Sequence, residues 1–79
     1  MLILFHKEEC PYCAKVRQFL SDSGVSYVSL VTPNGADSRK ILEQLGGKQQ
    51  VPFLLDTDAG EWLYESADII DYLEKNYVD

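Results

Sequence analysis

Cys10 and Cys13 stand two residues apart in the stretch EECPYCAKVRQFL, where an apolar run gives way to a helical pattern. A pair at this spacing can hold a metal, close a structural disulfide or exchange electrons with other thiols. A bond between them would close a ring too small to restrain much of the unfolded chain, so a stabilising staple is the weakest use. Zinc sites built on such a pair need a second pair or two histidines, and this chain has two cysteines and one histidine, His6. A cluster shared between two chains stays open on residue types alone. Thiol–disulfide exchange needs only a thiolate and a second thiol within reach. Pro11 suits a first helical position because it has no N–H to lose, which puts Cys10 at the N-cap and Cys13 one turn inside. The unpaired N–H groups and partial positive charge of a first turn favour a thiolate. Cys10 is therefore the candidate nucleophile and Cys13 the candidate resolving thiol. Lys7 assists the thiolate while Glu8 and Glu9 oppose it, and screening of these exposed charges leaves the helix terminus dominant. His6 reads as a surface or strand-end residue.

The rest of the composition narrows the setting of this pair. Seventy-nine residues make one domain, 1–79, and a chain of this size buries only roughly 60% of the surface its unfolded form exposes. Seven Lys and Arg against thirteen Asp and Glu give a formal net charge of −6, which repels nucleic acid and anionic membrane. No basic patch interleaved with aromatics offsets that field, so nucleic acid is excluded as a partner. The opening MLILF is too short for a membrane span or a secretory signal. The expectation is a monomer in the reducing cytoplasm.

The elements that must position the cysteines follow from periodicity. LILF, residues 2–5, is a short apolar run, the mark of a strand covered on both faces. Ala14, Val16, Phe19 and Leu20 are spaced for one helical face, and Gly24 stops that helix. VSYVSLV, residues 25–31, reads as a second strand. Asp37 is the expected N-cap of a helix carrying Ile41, Leu42 and Leu45 and ending at Gly46 and Gly47. VPFLLD and EWLYE flank TDAG, a hairpin signal, and Ser66 is the expected N-cap of a last helix with Ile69, Ile70 and Leu73 on one side. The order is β-α-β-α-β-β-α, an α/β domain. It implies a mixed four-stranded sheet, its first two strands parallel and its last two an antiparallel hairpin, with helices on both faces. In such a sheet a ligand site lies beyond the C-terminal end of a parallel strand, where Cys10 falls.

CPYC preceded by HKEE, with QVPFLL about forty residues on and ESADI after that, resembles the glutaredoxins of the thioredoxin-like superfamily over essentially the whole chain. The QVP and ESADI segments are similar also to the glutathione-binding N-terminal domain of the glutathione transferases. The resemblance implies a thioredoxin-like fold and a glutathione-dependent thiol–disulfide oxidoreductase acting on disulfide-containing or glutathionylated proteins, with glutathione as co-substrate and no metal. It implies a cis bond before Pro52, which leaves the Val51 backbone free to pair with the cysteinyl part of glutathione. Glu65 and Ser66 match the Glu-Ser pair that holds the γ-glutamyl group in the transferases, and Asp68 matches the aspartate that meets its amino end. Lys7 and Gln50 would meet the glycine carboxylate, and Tyr12 would line the groove beside the sulfurs.

Each residue also has a plainer reading: Ser66 as a cap, Asp68 as a complement to the helix dipole, Lys7 as a solvated lysine. One departure stands out, because many glutaredoxins carry Gly-Gly where this chain has Tyr64 and Glu65. Three other readings share the motifs. They are a redoxin reduced by a flavoprotein reductase, a non-enzymatic iron–sulfur carrier, and a piece of a transferase-like protein that would leave an apolar patch on the first or last helix.

Overall fold

The computed structural model describes residues 1–78. β1 (Leu2–His6), α1 (Pro11–Ser23), β2 (Val28–Val31), α2 (Asp37–Gly46), β3 (Phe53–Asp56), β4 (Glu61–Tyr64) and α3 (Ser66–Tyr77) follow in the expected order. The sheet runs β2-β1-β3-β4. β1 lies parallel to β2 with Ile3 opposite Val28, antiparallel to β3 with Leu4 opposite Leu54, and β4 closes the hairpin with Phe53 opposite Tyr64. β1 is thus an inner strand, and Leu2, Leu4 and Phe5 are all buried.

Alternation along the strands divides the interior into two cores. On one face Leu2, Leu4 and Leu54 pack with Val16 and Leu20 of α1 and Ile69 and Leu73 of α3. On the other, Phe5 and Phe53 meet Leu42 of α2, and the two rings sit edge to face with centroids 5.3 Å apart. The first core is the larger, and it carries the two helices whose N-termini face the site.

Several boundaries differ from the periodicity, each for a local reason. β2 starts at Val28 rather than Val25, because Gly24 takes the left-handed conformation at φ 69° and the Val25 N–H donates to the Leu20 carbonyl at 3.0 Å. Val25–Tyr27 are spent leaving the helix. Asp37 is the first residue of α2 and not its N-cap, a position held by Ala36 with extended backbone. Ser66 likewise opens α3 from inside, since the Glu65 carbonyl accepts the Ile69 N–H at 3.0 Å and makes Glu65 the N-cap. β3 begins only at Phe53, after the cis Val51–Pro52 peptide. His6 ends β1 as a strand-end residue, but it is buried, held between α1 and β2. The exposed large apolar side chains on α1 and α3 are Tyr12 and Tyr77, with Phe19, Ile70 and Tyr72 partly buried.

Gly46 has a packing reason that its neighbours lack. A Cβ there would lie 2.1 Å from the Tyr64 hydroxyl, and that hydroxyl is itself fixed by donating to the Lys48 carbonyl at 2.8 Å and accepting the Lys48 N–H at 3.1 Å. We expect Gly46→Ala to destabilise the fold by roughly 1–3 kcal/mol, the usual cost of overpacking, measured by urea titration against wild type.

Candidate active site

The chain leaves β1 at His6, turns through Lys7–Glu9 and enters α1 at Pro11, with Cys10 at the N-cap in extended conformation. The Cys10 Sγ accepts the Cys13 N–H at 3.2 Å, so the sulfur itself satisfies one of the helix's orphan donors. The Cys10 N–H in turn reaches the Lys7 carbonyl at 3.4 Å. Both thiols are free, with Cys10 8% exposed and Cys13 fully buried. Burial pushes the Cys13 thiol up to about 11, reinforced by its hydrogen bond with Cys10 and opposed by the Lys7 backbone and the charge of Arg17. The two sulfurs therefore differ in reach. Cys10 keeps a narrow opening to solvent at the helix terminus, and Cys13 is held protonated behind it.

Beside the helix lies a groove of about 540 Å³, within the range of small-molecule sites, lined by Tyr12, Lys15, Gln50, Val51, Pro52, Glu65, Ser66 and Ala67. Three elements supply it: the exposed first turns of α1, the loop before β3, and the start of α3. The structure brings together in this lining six of the residues singled out in the sequence, namely Tyr12, Gln50, Val51, Pro52, Glu65 and Ser66. Lys7 is half-buried and Asp68 exposed, and neither lines the groove. Tyr12 is 58% exposed, a ring laid over the rim rather than part of the core.

The loop that carries Gln50–Pro52 is braced from three sides. The buried Arg39 of α2 donates through Nε to the Thr32 carbonyl at 3.0 Å and through a second nitrogen to the Gln49 carbonyl. Gln49 donates to Glu43 at 2.8 Å, and Tyr64 holds both backbone groups of Lys48. Across the groove Gln50 Nε2 donates to Glu65 Oε1 at 2.8 Å, which orients that carboxylate. Glu65 has φ 67° and ψ 121°, a conformation that glycine adopts readily and other residues rarely do. The glycine-like backbone is kept here with a side chain added, and that side chain points its carboxylate at the groove. No side chain caps α3, so its first-turn N–H groups remain available to an anion beside Ser66.

Lys15 and Arg39 escaped the sequence reading. Lys15 follows Tyr12 by three positions, and its Nζ lies 5.7 Å from the Tyr12 ring centroid, a helical spacing that could have signalled a shared face. Arg39 gave no signal, because nothing in its neighbours marks an arginine whose partners are two distant carbonyls. Among the described residues no group of three or more His, Cys, Asp or Glu is placed to hold a metal ion.

The chain is similar to known proteins. Residues 4–79 match the family described as glutathione S-transferase, N-terminal domain. Glutaredoxin 3 of Escherichia coli K12 is 35% identical over 49 residues, which is 62% of this chain and 59% of that protein. Glutaredoxin 2 of Salmonella typhimurium, solved in complex with glutathione, superposes with a TM-score of 0.81 at 26% identity, over 94% of this chain and 33% of that one. A glutathione S-transferase of Drosophila melanogaster, isozyme E7, superposes with a TM-score of 0.84 at 26% identity, over 98% of this chain and 35% of its own. The chain thus spans about three fifths of glutaredoxin 3 and about a third of the transferases. With its mixed four-stranded sheet and three helices in the thioredoxin-like arrangement, the chain belongs to the glutathione S-transferase N-terminal domain family.

Proposed function

We propose that this protein is a glutathione-dependent thiol–disulfide oxidoreductase of the dithiol kind, working in a reducing compartment such as the cytoplasm. The observation that carries the reading is the placement of a free CPYC pair at a helix N-terminus next to a groove lined by Val51, Pro52, Glu65 and Ser66. The Cys10 thiolate attacks one sulfur of a substrate disulfide, a Cys10 mixed disulfide forms, and the other sulfur leaves as a thiolate that takes a proton from water. Cys13 then attacks the Cys10 sulfur and releases the second substrate thiol; where glutathione attacks it instead, a Cys10–glutathione disulfide is left, and a second glutathione attacks its glutathione sulfur, frees the Cys10 thiolate and leaves as glutathione disulfide. Where Cys13 has closed the Cys10–Cys13 bond, one glutathione opens it and a second leaves as glutathione disulfide. Electrons balance, since two thiols are oxidised for each disulfide reduced.

Glutathione fits the groove by its charges. The Val51 backbone offers strand-like pairing to the cysteinyl unit. The α3 terminus and the Ser66 hydroxyl suit the γ-glutamyl carboxylate, while Glu65 and Asp68 suit its ammonium. Gln50 and Lys7 remain for the glycine carboxylate, Lys7 by a side-chain movement into the groove. Fixing the peptide in this way lines up the three sulfurs that in-line exchange requires.

The test is reduction of a glutathione mixed disulfide by the purified protein, with glutathione, glutathione reductase and NADPH supplying electrons. Steady NADPH oxidation dependent on the protein is the expected result, and none from intact, folded, reduced protein would refute the reading. A more selective prediction concerns Glu65. Its backbone conformation costs on the order of 1–3 kcal/mol in a non-glycine residue. We therefore expect Glu65→Gly to match or exceed wild-type stability by about 1 kcal/mol, after the entropy glycine adds to the unfolded chain. The same change should raise KM for glutathione roughly tenfold, the worth of one charge-assisted hydrogen bond. Thermal melts and glutathione titrations read the two effects separately.

A further inference from the structure

His6 and Arg17 form a cluster behind the cysteines that the exchange chemistry above leaves unused. Arg17 donates to His6 Nδ1 at 3.2 Å and to the Lys7 carbonyl at 3.3 Å, and His6 Nε2 meets the Ser29 hydroxyl of β2. Because Nδ1 accepts, the ring is neutral with its proton on Nε2, donated to Ser29. Burial, then the neighbouring guanidinium, holds His6 below the ordinary histidine range, while Glu8 acts in the opposite direction. No carboxylate pairs with Arg17 among the described residues, so its charge is held by a ring nitrogen and a carbonyl. That carbonyl belongs to Lys7, the same group that accepts the Cys10 N–H. Arg17 also follows Cys13 by four positions on α1, which places the two side chains on one helical face.

We propose that Arg17, fixed by His6 and the Lys7 carbonyl, is a positioning residue for the resolving step, holding a positive charge beside Cys13 and the redox turn in register for closure. In that step the Cys13 thiolate attacks the Cys10 sulfur of the mixed disulfide, the Cys10–Cys13 bond forms, and the bond from Cys10 to the substrate sulfur breaks. The substrate sulfur departs with the electron pair and takes a proton from water. Three effects oppose the Cys13 thiolate, its burial first, then its side-chain hydrogen bond with Cys10 and the charge of Cys10, and the last two disappear once Cys10 is in a disulfide. Burial remains, countered by the Lys7 backbone and by the charge of Arg17. The charged and titratable groups facing Cys13 are Arg17 on its own helix and Cys10 and the Lys7 backbone on the turn, while those facing His6 are Arg17 and Glu8. The inference rests on the disulfide-exchange reading but not on glutathione being the co-substrate.

Stopped-flow mixing of the reduced protein with excess chromogenic aryl disulfide separates the two steps. Attack by Cys10 releases one coloured thiolate, and closure by Cys13 releases a second. We expect Arg17→Met to slow the second phase roughly three- to tenfold, a loss of thiolate partly offset by the greater nucleophilicity of a more basic sulfur. The first phase should keep its rate and so report an intact fold. The pH profile of the second phase should move to higher pH. Arg17→Lys keeps the charge and recovers most of the rate, and His6→Gln, which removes the ring that seats Arg17, slows the same phase. An unchanged second phase in Arg17→Met, or equal slowing of both phases, overturns the proposal. Release of a single equivalent by the wild type overturns both this role and that of Cys13. Failure of glutathione-driven turnover alone, with both phases present, refutes only the co-substrate.

Discussion

Cys10→Ser should remove turnover of glutathione mixed disulfides by more than about a thousandfold, because the other thiol of that helix turn, Cys13, is fully buried and held protonated. Cys13→Ser should retain most of it. Cys10 is the less buried of the two sulfurs, and in this variant a second glutathione resolves the mixed disulfide. The same Cys13→Ser variant should lose protein-disulfide reduction by on the order of tenfold or more, since an intramolecular thiol at high effective concentration is replaced by one arriving from solution. The asymmetry follows from the thiols' surroundings. A thiol held up to about 11 is ionised to only about one part in ten thousand at pH 7, so Cys13 waits until Cys10 has reacted. Parallel NADPH-coupled assays on the two substrates distinguish the variants, and equal losses in both would defeat the division of labour.

The second large effect lies far from the sulfurs. Asp56 is 1% exposed and its carboxylate accepts four hydrogen bonds: from the Tyr72 hydroxyl at 2.7 Å, from the Tyr77 hydroxyl at 2.5 Å, and from the N–H groups of Asp58 and Ala59 at 3.1 and 3.4 Å. Burial alone would raise its pKa, but the hydrogen bonds from Tyr77, Tyr72 and the two backbone groups outweigh it and hold the carboxyl below the usual range. The lock ties the C-terminal half of α3 to the β3–β4 hairpin. A depressed folded pKa contributes stability that is present above the unfolded value of ~3.9 and is lost as pH falls through the folded value. For Tyr77 the sign reverses. The Asp56 hydrogen bond, then burial, raises it to about 12, so its contribution is present below the unfolded value of ~10 and is lost as pH climbs through the folded one.

Asp56→Asn should therefore cost about 2–3 kcal/mol at pH 7, the worth of a hydrogen bond to a charged group. That is a large share of the roughly 4–12 kcal/mol available to a chain of this length. The melting temperature should fall by roughly 10–20 °C. Urea titrations at pH 7 and in strong acid would show the difference between variant and wild type shrinking as the wild-type carboxyl takes up its proton. Equal midpoints at pH 7 would show that the buried carboxylate contributes nothing.

The element order, the parallel β1–β2 pair and the hairpin were legible because apolar runs, Gly24 and TDAG mark them in local sequence. Cys10 at the N-cap was legible for the same reason, since Pro11 fixes the register of the helix. What periodicity missed depends on contacts between distant residues. Ser66 looks like a cap by type, but the strained Glu65 takes the N-cap and shifts Ser66 to the first helical position. His6 reads as a surface or strand-end residue and does end β1, yet Arg17 and Ser29, eleven and twenty-three residues away, enclose it. The role of Asp56 is likewise invisible until α3 folds back over the hairpin. The groove residues came from resemblance rather than from pattern. Chain direction alone does not tell that the loop before β3 and the start of α3 will meet across a hydrogen bond between Gln50 and Glu65.

The division of the interior into two unequal cores has a dynamic consequence. The helix bearing the cysteines is docked in the larger core, whereas α2 and the brace it gives the Val51–Pro52 edge rest on a core with three buried residues, Phe5, Leu42 and Phe53. Sub-global opening should begin in the weaker unit. In hydrogen exchange, the amides of α2 should lose protection at a lower free energy than those of α1 and α3. The protein would then visit a state in which its peptide-holding edge has come loose while its sulfurs stay in place. Such a state still reacts with small disulfides that need no groove, and it lets a tightly fitted product escape without disturbing the electrons' route.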